Sequence, residues 1–334
     1  MAAGSVGALQ VSEVDLVRAA AAPHGHRQAL QAGARQEVLV SLVELPAGIV
    51  VGVETPDDGA AFTLTEHAGA DDRRTVEVDS VPRTLEVLAE RCERWPQTAA
   101  VCDDVLRSVD PAAPARPGVI TESLAYSTLQ AGPEFARWLA ERGPATMPAL
   151  PDPVRASRVG GTLSVEFNRP QRHNAFSTDA RAALLEALEV ARLDPSVEEV
   201  VLSGAGRSFC SGGDLAEFGS FADPASAHLA RTRHSPALVL DELTARLGRR
   251  CRARVHGQVL GSGLEMAAYC GWVVSTPDAV FGLPELGLGL IPGAGGTVSV
   301  TRRIGRWRTM FLVLSGRTID PPTALRWGLI DAVE

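Results

Sequence analysis

Short β-branched runs at residues 38–43 and 48–53, joined by Leu-Pro-Ala, predict a β-hairpin early in the chain. Residues 81–94 and 97–109 carry apolar positions at helical spacing, with Leu85, Leu88 and Ala89 on one face. Residues 120–129 and 133–141 predict a second helical pair, and Pro133 suits a first helical turn. Two proline-rich stretches, 110–118 and 143–153, cannot continue helices and mark linkers. Beyond the second the pattern changes. Residues 161–167 alternate as a strand does, and 178–192 form an amphipathic helix with Ala182, Leu185 and Leu188 together, ended by Asp194-Pro195. Residues 199–203 are a short apolar strand, after which strands and helices alternate to the end. That alternation predicts an α/β architecture with helices packed on sheet faces. It also divides the chain into an N-terminal accessory domain (1–152), α/β or mostly helical, and a catalytic domain (153–334).

Composition narrows the class. With 334 residues, 45% hydrophobic and 22% charged, the chain can bury two ordinary cores and is not a disordered polymer. No apolar run is long enough for a bilayer, so no membrane partner is expected. The first residues, MAAGSVGALQVSEVD, lack a basic segment and an apolar one, so no signal peptide is expected and a cytoplasmic location follows. Cys92, Cys102, Cys210, Cys251 and Cys270 show neither CxxC pairing nor metal-ligand spacing and read as reduced thiols. His24 and His26 are close together, but nothing nearby completes a metal site.

Every basic side chain is arginine, which a GC-rich coding bias explains; it excludes lysine Schiff-base chemistry and leaves phosphate groups to arginine forks or backbone amides. The net charge of −8 is uneven: residues 1–152 carry 12 arginines against 22 acidic groups, residues 153–334 carry 20 against 18. No basic domain or stripe invites nucleic acid, and the near-neutral second half is the better host for an anionic ligand.

Three segments carry chemistry. Gly204-Ala-Gly-Arg-Ser-Phe-Cys-Ser-Gly-Gly-Asp-Leu215 is a glycine-rich turn after a strand, able to bring backbone N–H groups against a ligand, although such turns commonly just reverse the chain. Val255-His-Gly-Gln-Val-Leu-Gly-Ser-Gly-Leu-Glu265 is a strand, a Gly-x-Gly turn and a helix start, where free N–H groups stabilise developing negative charge. Glu265 in that first turn is either a base or a surface residue complementing the helix dipole. Ala279-Val-Phe-Gly-Leu-Pro-Glu285 places Glu285 among leucines, where burial raises a carboxyl pKa and makes a usable acid; the alternative is a capping glutamate after Pro284.

These segments run in order after Asn168-Arg-Pro-Gln-Arg-His-Asn-Ala175 and before Leu314-Ser-Gly-Arg-Thr-Ile319. Over residues 159–333 the chain resembles the crotonase, or enoyl-CoA hydratase/isomerase, family. The resemblance implies a spiral of ββα units and an oxyanion hole made by the N–H groups of Gly213 and Ser262, the latter a glycine in many relatives. It implies that Glu265 and Glu285, twenty residues apart, are the catalytic pair of a hydratase, and that Arg172, Ala175, Ser211, Asp214 and Leu215 border the CoA moiety, Asp214 chiefly as a structural helix-start residue. It further implies an acyl-CoA substrate with no permanently bound cofactor and a trimer-based homo-oligomer. Isomerase, hydrolase and cofactor-free oxygenase reactions on an acyl- or arylacetyl-CoA use the same oxyanion hole, and a non-catalytic acyl-CoA-binding subunit is the alternative outside enzymes.

Three features depart from the family pattern. The sequence ends at Glu334, soon after Gly328-Leu-Ile-Asp-Ala-Val333, where relatives continue into C-terminal helices; either the sequence is truncated or the N-terminal 150 residues replace that cover. Arg250, Arg252 and Arg254 share one face of a strand and could meet the acidic N-terminal region, another subunit or solvent. The long N-terminal extension is similar to that of the cofactor-free dihydroxyphenylacetyl-CoA dioxygenase branch, against which Glu265 argues.

Overall fold

The computed structural model describes residues 41–146 apart from 68 and 70, and residues 151–334 apart from 222. His24, His26, the first three residues of the expected hairpin and part of the second proline-rich stretch lie outside the described residues.

The expected hairpin forms: β1 (Ser41–Leu45) and β2 (Ile49–Val53) pair antiparallel. β3 (Phe62–Thr65) and β4 (Thr75–Glu77) extend the sheet in parallel, giving the order β1-β2-β3-β4. The four helices that follow are α1 (Val81–Arg94), α2 (Pro96–Ser108), α3 (Ala115–Gln130) and α4 (Pro133–Arg142). α3 begins inside the first proline-rich stretch, earlier than expected, because Pro117 falls in its first turn, where backbone N–H groups have no intrahelical partner to lose. Glu134 of α4 is buried and accepts hydrogen bonds from the N–H groups of Gln97 (2.8 Å) and Thr98 (3.0 Å), satisfying donors left open at the start of α2.

The remaining elements are β5 (Val154–Val159), β6 (Thr162–Phe167), α5 (Thr178–Leu193), β7 (Glu199–Gly204), α6 (Pro224–Arg233), α7 (Pro236–Leu247), β8 (Cys251–Val255), β9 (Gln258–Leu260), α8 (Ser262–Tyr269), β10 (Trp272–Ser275), β11 (Val280–Gly282), α9 (Gly296–Ser315), α10 (Pro321–Trp327) and β12 (Ala332–Val333). Six strands form one sheet in the order β12-β10-β8-β7-β6-β5, parallel except between β5 and β6, while β9 and β11 pair separately in parallel. Parallel neighbours need crossover connections, and the helices between them supply these. β5 was not anticipated. It is an antiparallel edge strand with five of its six residues exposed, so no apolar alternation marks it. Of the three arginines before His256, Arg252 pairs with Glu199 on β7, whereas Arg250 and Arg254 are exposed.

Strands β3 and β4 and helix α1 lie against α9. Phe62 of β3 meets Phe311 of α9 edge-on at 5.5 Å between ring centroids, and Arg308 donates to the Thr75 carbonyl. α2 and α3 also pack on α9, and one continuous apolar cluster runs through both parts of the described chain. This packing delivers α3 to the site.

Candidate active site

Gly261 precedes α8 with φ 48°, a conformation that favours glycine, and the turn sets Glu265 in the first helical turn facing inward. Its Oε2 accepts hydrogen bonds from the N–H groups of Ala294 (2.7 Å) and Gly296 (2.8 Å). These amides stand at the start of α9, the positive end of that helix. A side chain at position 296 would collide with the carboxylate: a Cβ there lies 2.4 Å from Glu265 Cγ. Burial pushes the Glu265 carboxyl up to about 7, while the amides of Ala294, Gly296 and Gly293 pull it down.

Glu285 opens a short 3-10 turn, Glu285–Leu288, after Pro284, and lies against the Gly261 turn: a Cβ on Gly261 would come within 2.5 Å of Glu285 Oε1. Glu285 is 9% exposed, and its Oε2 is buried with no hydrogen-bond partner among the described residues. Burial first, then the neighbouring charges of Glu265 and Glu122, hold its carboxyl well above the ordinary range.

Glu122 of α3 is a third carboxyl in the same place, 1% exposed. Its Oε1 accepts from the Gly295 N–H (2.7 Å), and its Oε2 from the Thr297 N–H (2.9 Å) and hydroxyl (2.7 Å). Burial, then repulsion from Glu265, push it up to about 8. All three carboxyls line a cavity of about 160 Å³, together with Tyr126, Arg181, Phe218 and Arg231. Arg231 reaches back to Ser123, Ser127 and Gln130 and stacks over the Tyr126 ring at 4.4 Å, which ties α6 to α3. Gly213 and Ser262 also line the cavity, and neither backbone N–H donates to an acceptor among the described residues. Two open amides beside buried carboxyls of unlike surroundings can polarise a carbonyl and move protons next to it.

The family model described as enoyl-CoA hydratase/isomerase matches residues 158–334. The chain belongs to the enoyl-CoA hydratase/isomerase family. It is 34% identical over 181 residues to a probable enoyl-CoA hydratase of Mycobacterium bovis, a match covering 54% of this chain and 66% of that protein. It is 36% identical over 177 residues to the 2,3-dehydroadipyl-CoA hydratase of Escherichia coli, covering 53% of this chain and 67% of that one. The chain thus spans about two thirds of the length of these relatives. A solved enoyl-CoA hydratase subunit of Geobacillus kaustophilus is similar over 54% of this chain and 68% of its own, with 30% identity and a TM-score of 0.48.

Within this enoyl-CoA hydratase/isomerase chain, the residues singled out in the sequence fall into two groups. Glu265, Glu285, Gly213 and Ser262 line one cavity. Arg172, Ala175, Ser211, Asp214 and Leu215 do not line it. Asp214 is buried and holds the Nη2 atoms of Arg169 (3.0 Å) and Arg172 (2.7 Å), which fixes the 169–175 segment against the glycine-rich turn. Leu215 is exposed beside it.

Sequence reasoning missed Glu122. The signal was there: Val119, Glu122, Ser123 and Tyr126 share the buried face of α3, so a carboxyl sits on a stripe that should be apolar. Among the described residues, no cluster of three or more potential metal ligands is present. No helix among them is long and apolar enough to cross a membrane.

Gly296→Ala should lower turnover about 100-fold, the scale of a misplaced reacting group, because the new methyl displaces the Glu265 carboxylate. Steady-state kinetics on the folded variant check this; wild-type kcat would mean that the close approach at Gly296 has no bearing on the chemistry.

Proposed function

We propose that the protein adds water to the double bond of an α,β-unsaturated acyl-CoA thioester, or removes water to form it. The observation that carries this reading is the contrast between two carboxyls in one cavity. Glu265 rests on amide donors that suit a carboxylate, whereas Glu285 has a buried oxygen with no donor among the described residues and suits the neutral acid. In hydration, Glu265 takes a proton from water as the water oxygen bonds to the β-carbon. The double-bond electrons move onto the thioester oxygen, where the N–H groups of Gly213 and Ser262 meet the enolate charge. Glu285 then gives its proton to the α-carbon, the thioester carbonyl reforms, and the proton now on Glu265 returns to Glu285 directly or through water. Dehydration runs the same steps backward.

In this reading coenzyme A arrives as part of the substrate and no cofactor stays bound. Arg172, Ala175, Ser211, Asp214 and Leu215 border the CoA moiety, outside the cavity that takes the acyl group. Residues 1–152 form the accessory domain and 153–334 the catalytic one, in a cytoplasmic, trimer-based homo-oligomer. The names of the relatives, both hydratases, support the reaction class.

The test is a panel of aliphatic and aromatic enoyl-CoA esters, followed by loss of the conjugated enoyl-thioester absorbance. Turnover that disappears in both Glu265→Gln and Glu285→Gln supports the proposal. Binding of the esters without turnover would replace it with isomerase, hydrolase or oxygenase chemistry at the same amides. Binding unaffected by either substitution, with no chemistry on any acyl-CoA, would leave an acyl-CoA-binding subunit.

A further inference from the structure

We infer that Glu122 is a positioning residue for Glu265, through which the N-terminal region holds the acid–base site in register. The inference rests on the reading of Glu265 as the base. Four successive backbone amides, at residues 294–297, are shared in alternation by two carboxyls from distant parts of the chain: those of Ala294 and Gly296 go to Glu265, those of Gly295 and Thr297 to Glu122. Each carboxyl therefore fixes the segment that supplies donors to the other. Without Glu122, two buried N–H groups and the Thr297 hydroxyl have no acceptor, and a buried unsatisfied donor is costly enough to make the segment rearrange. Glu265 bonds the alternate amides of the same segment, so the rearrangement draws the base away from its place.

α3 is well anchored for this task. Arg231 clamps Ser123, Ser127 and Gln130, which follow Glu122 on α3, and Tyr126 lies one turn further along the same face. The titratable and charged groups around Glu122 are Glu265 on α8, Glu285 on the 3-10 turn, Tyr126 on its own helix, Arg231 on α6, Tyr269 on α8 and Cys102 on α2. Arg231 is the cation in this set, and charge on Glu122 raises the affinity of Glu285 for its proton.

Glu122→Gln and Thr297→Val test this in the full chain. Thr297 lies outside the cavity lining, and valine keeps its shape while removing one donor to Glu122. Glu122→Gln is expected to lower kcat about 100-fold with KM little changed, and to move the acidic limb of the pH profile to higher pH, because the disturbed segment no longer holds the Ala294 and Gly296 amides that pull the Glu265 carboxyl down. Thr297→Val should produce a smaller loss of kcat and a smaller shift of the limb in the same direction, since Glu122 loses one of the bonds by which it holds the segment. Wild-type kcat and an unmoved limb in folded Glu122→Gln would overturn the inference. A second readout needs no turnover: infrared titration of the buried carboxyls, with the Glu265 band assigned by its loss in Glu265→Gln. If no enoyl-CoA reacts with the wild type, the proposed function falls, and this titration still decides. A Glu265 band that titrates at higher pH in Glu122→Gln supports the positioning role; an unchanged one overturns it.

Discussion

Glu265→Gln is expected to lower kcat about 1,000-fold on any enoyl-CoA that the wild type hydrates, within the range that a positioned general base contributes. Glutamine keeps an oxygen for the Ala294 and Gly296 amides, so fold and binding should survive while the proton acceptor is lost. The pH profile makes the prediction specific. The base works ionised, and burial places the Glu265 carboxyl at about 7, so wild-type kcat/KM should rise with pH through that value. The residual activity of the glutamine variant should show no such limb. A variant that keeps both its rate and its limb would remove Glu265 from the chemistry.

The second large effect is on stability, and its direction is the reverse of ordinary acid denaturation. A carboxyl whose pKa is raised in the folded state holds a proton that the unfolded chain has already released. Stability is then fully present below the unfolded value, 4.5, and is lost as pH rises through the folded one. The window for Glu265 runs from 4.5 to about 7, and for Glu122 from 4.5 to about 8. For Glu265 alone this amounts to roughly 3 kcal/mol at 1.36 kcal/mol per pH unit; the carboxyls repel one another, so their contributions do not add. Acidic groups shifted the other way act elsewhere: hydrogen bonds from Ser196 and Arg158 hold Asp194 down at about 2, so its influence is confined to pH below its ordinary value of 3.8. Thermal midpoints measured from about pH 5 to about pH 8.5 should therefore fall across the series for the wild type. Glu285→Gln, which relieves the repulsion, should flatten that slope and melt above the wild type at the alkaline end. A wild-type midpoint that rises over this range would contradict the burial of three ionisable carboxyls in one cavity.

What could be read from the chain was local. Gly261 before Ser262 announces a turn that opens a helix, and Glu265 three positions on must lie in its first turn. Pro284 before Glu285 ends a strand and starts a short turn, and the leucines around it foretell burial. Periodicity located α1, α2 and α5 closely because each buries residues along one face, and Pro133 marked the start of α4. It failed at β5, whose residues are exposed, and at the start of α3, where proline in a first turn looks the same in sequence as proline in a linker.

The sequence by itself determined the family, the order of its motifs and the identity of the two glutamates twenty residues apart, because these depend on short-range backbone geometry and on residue type. Only the tertiary structure decided that Glu122 shares the cavity, since its bond to the Gly295 amide joins groups 173 positions apart. It likewise decided that Arg252 meets Glu199 across neighbouring strands and that Asp214 is spent on Arg169 and Arg172. Contacts of that range follow from how distant elements pack, and packing is a property of the whole core that no local pattern records.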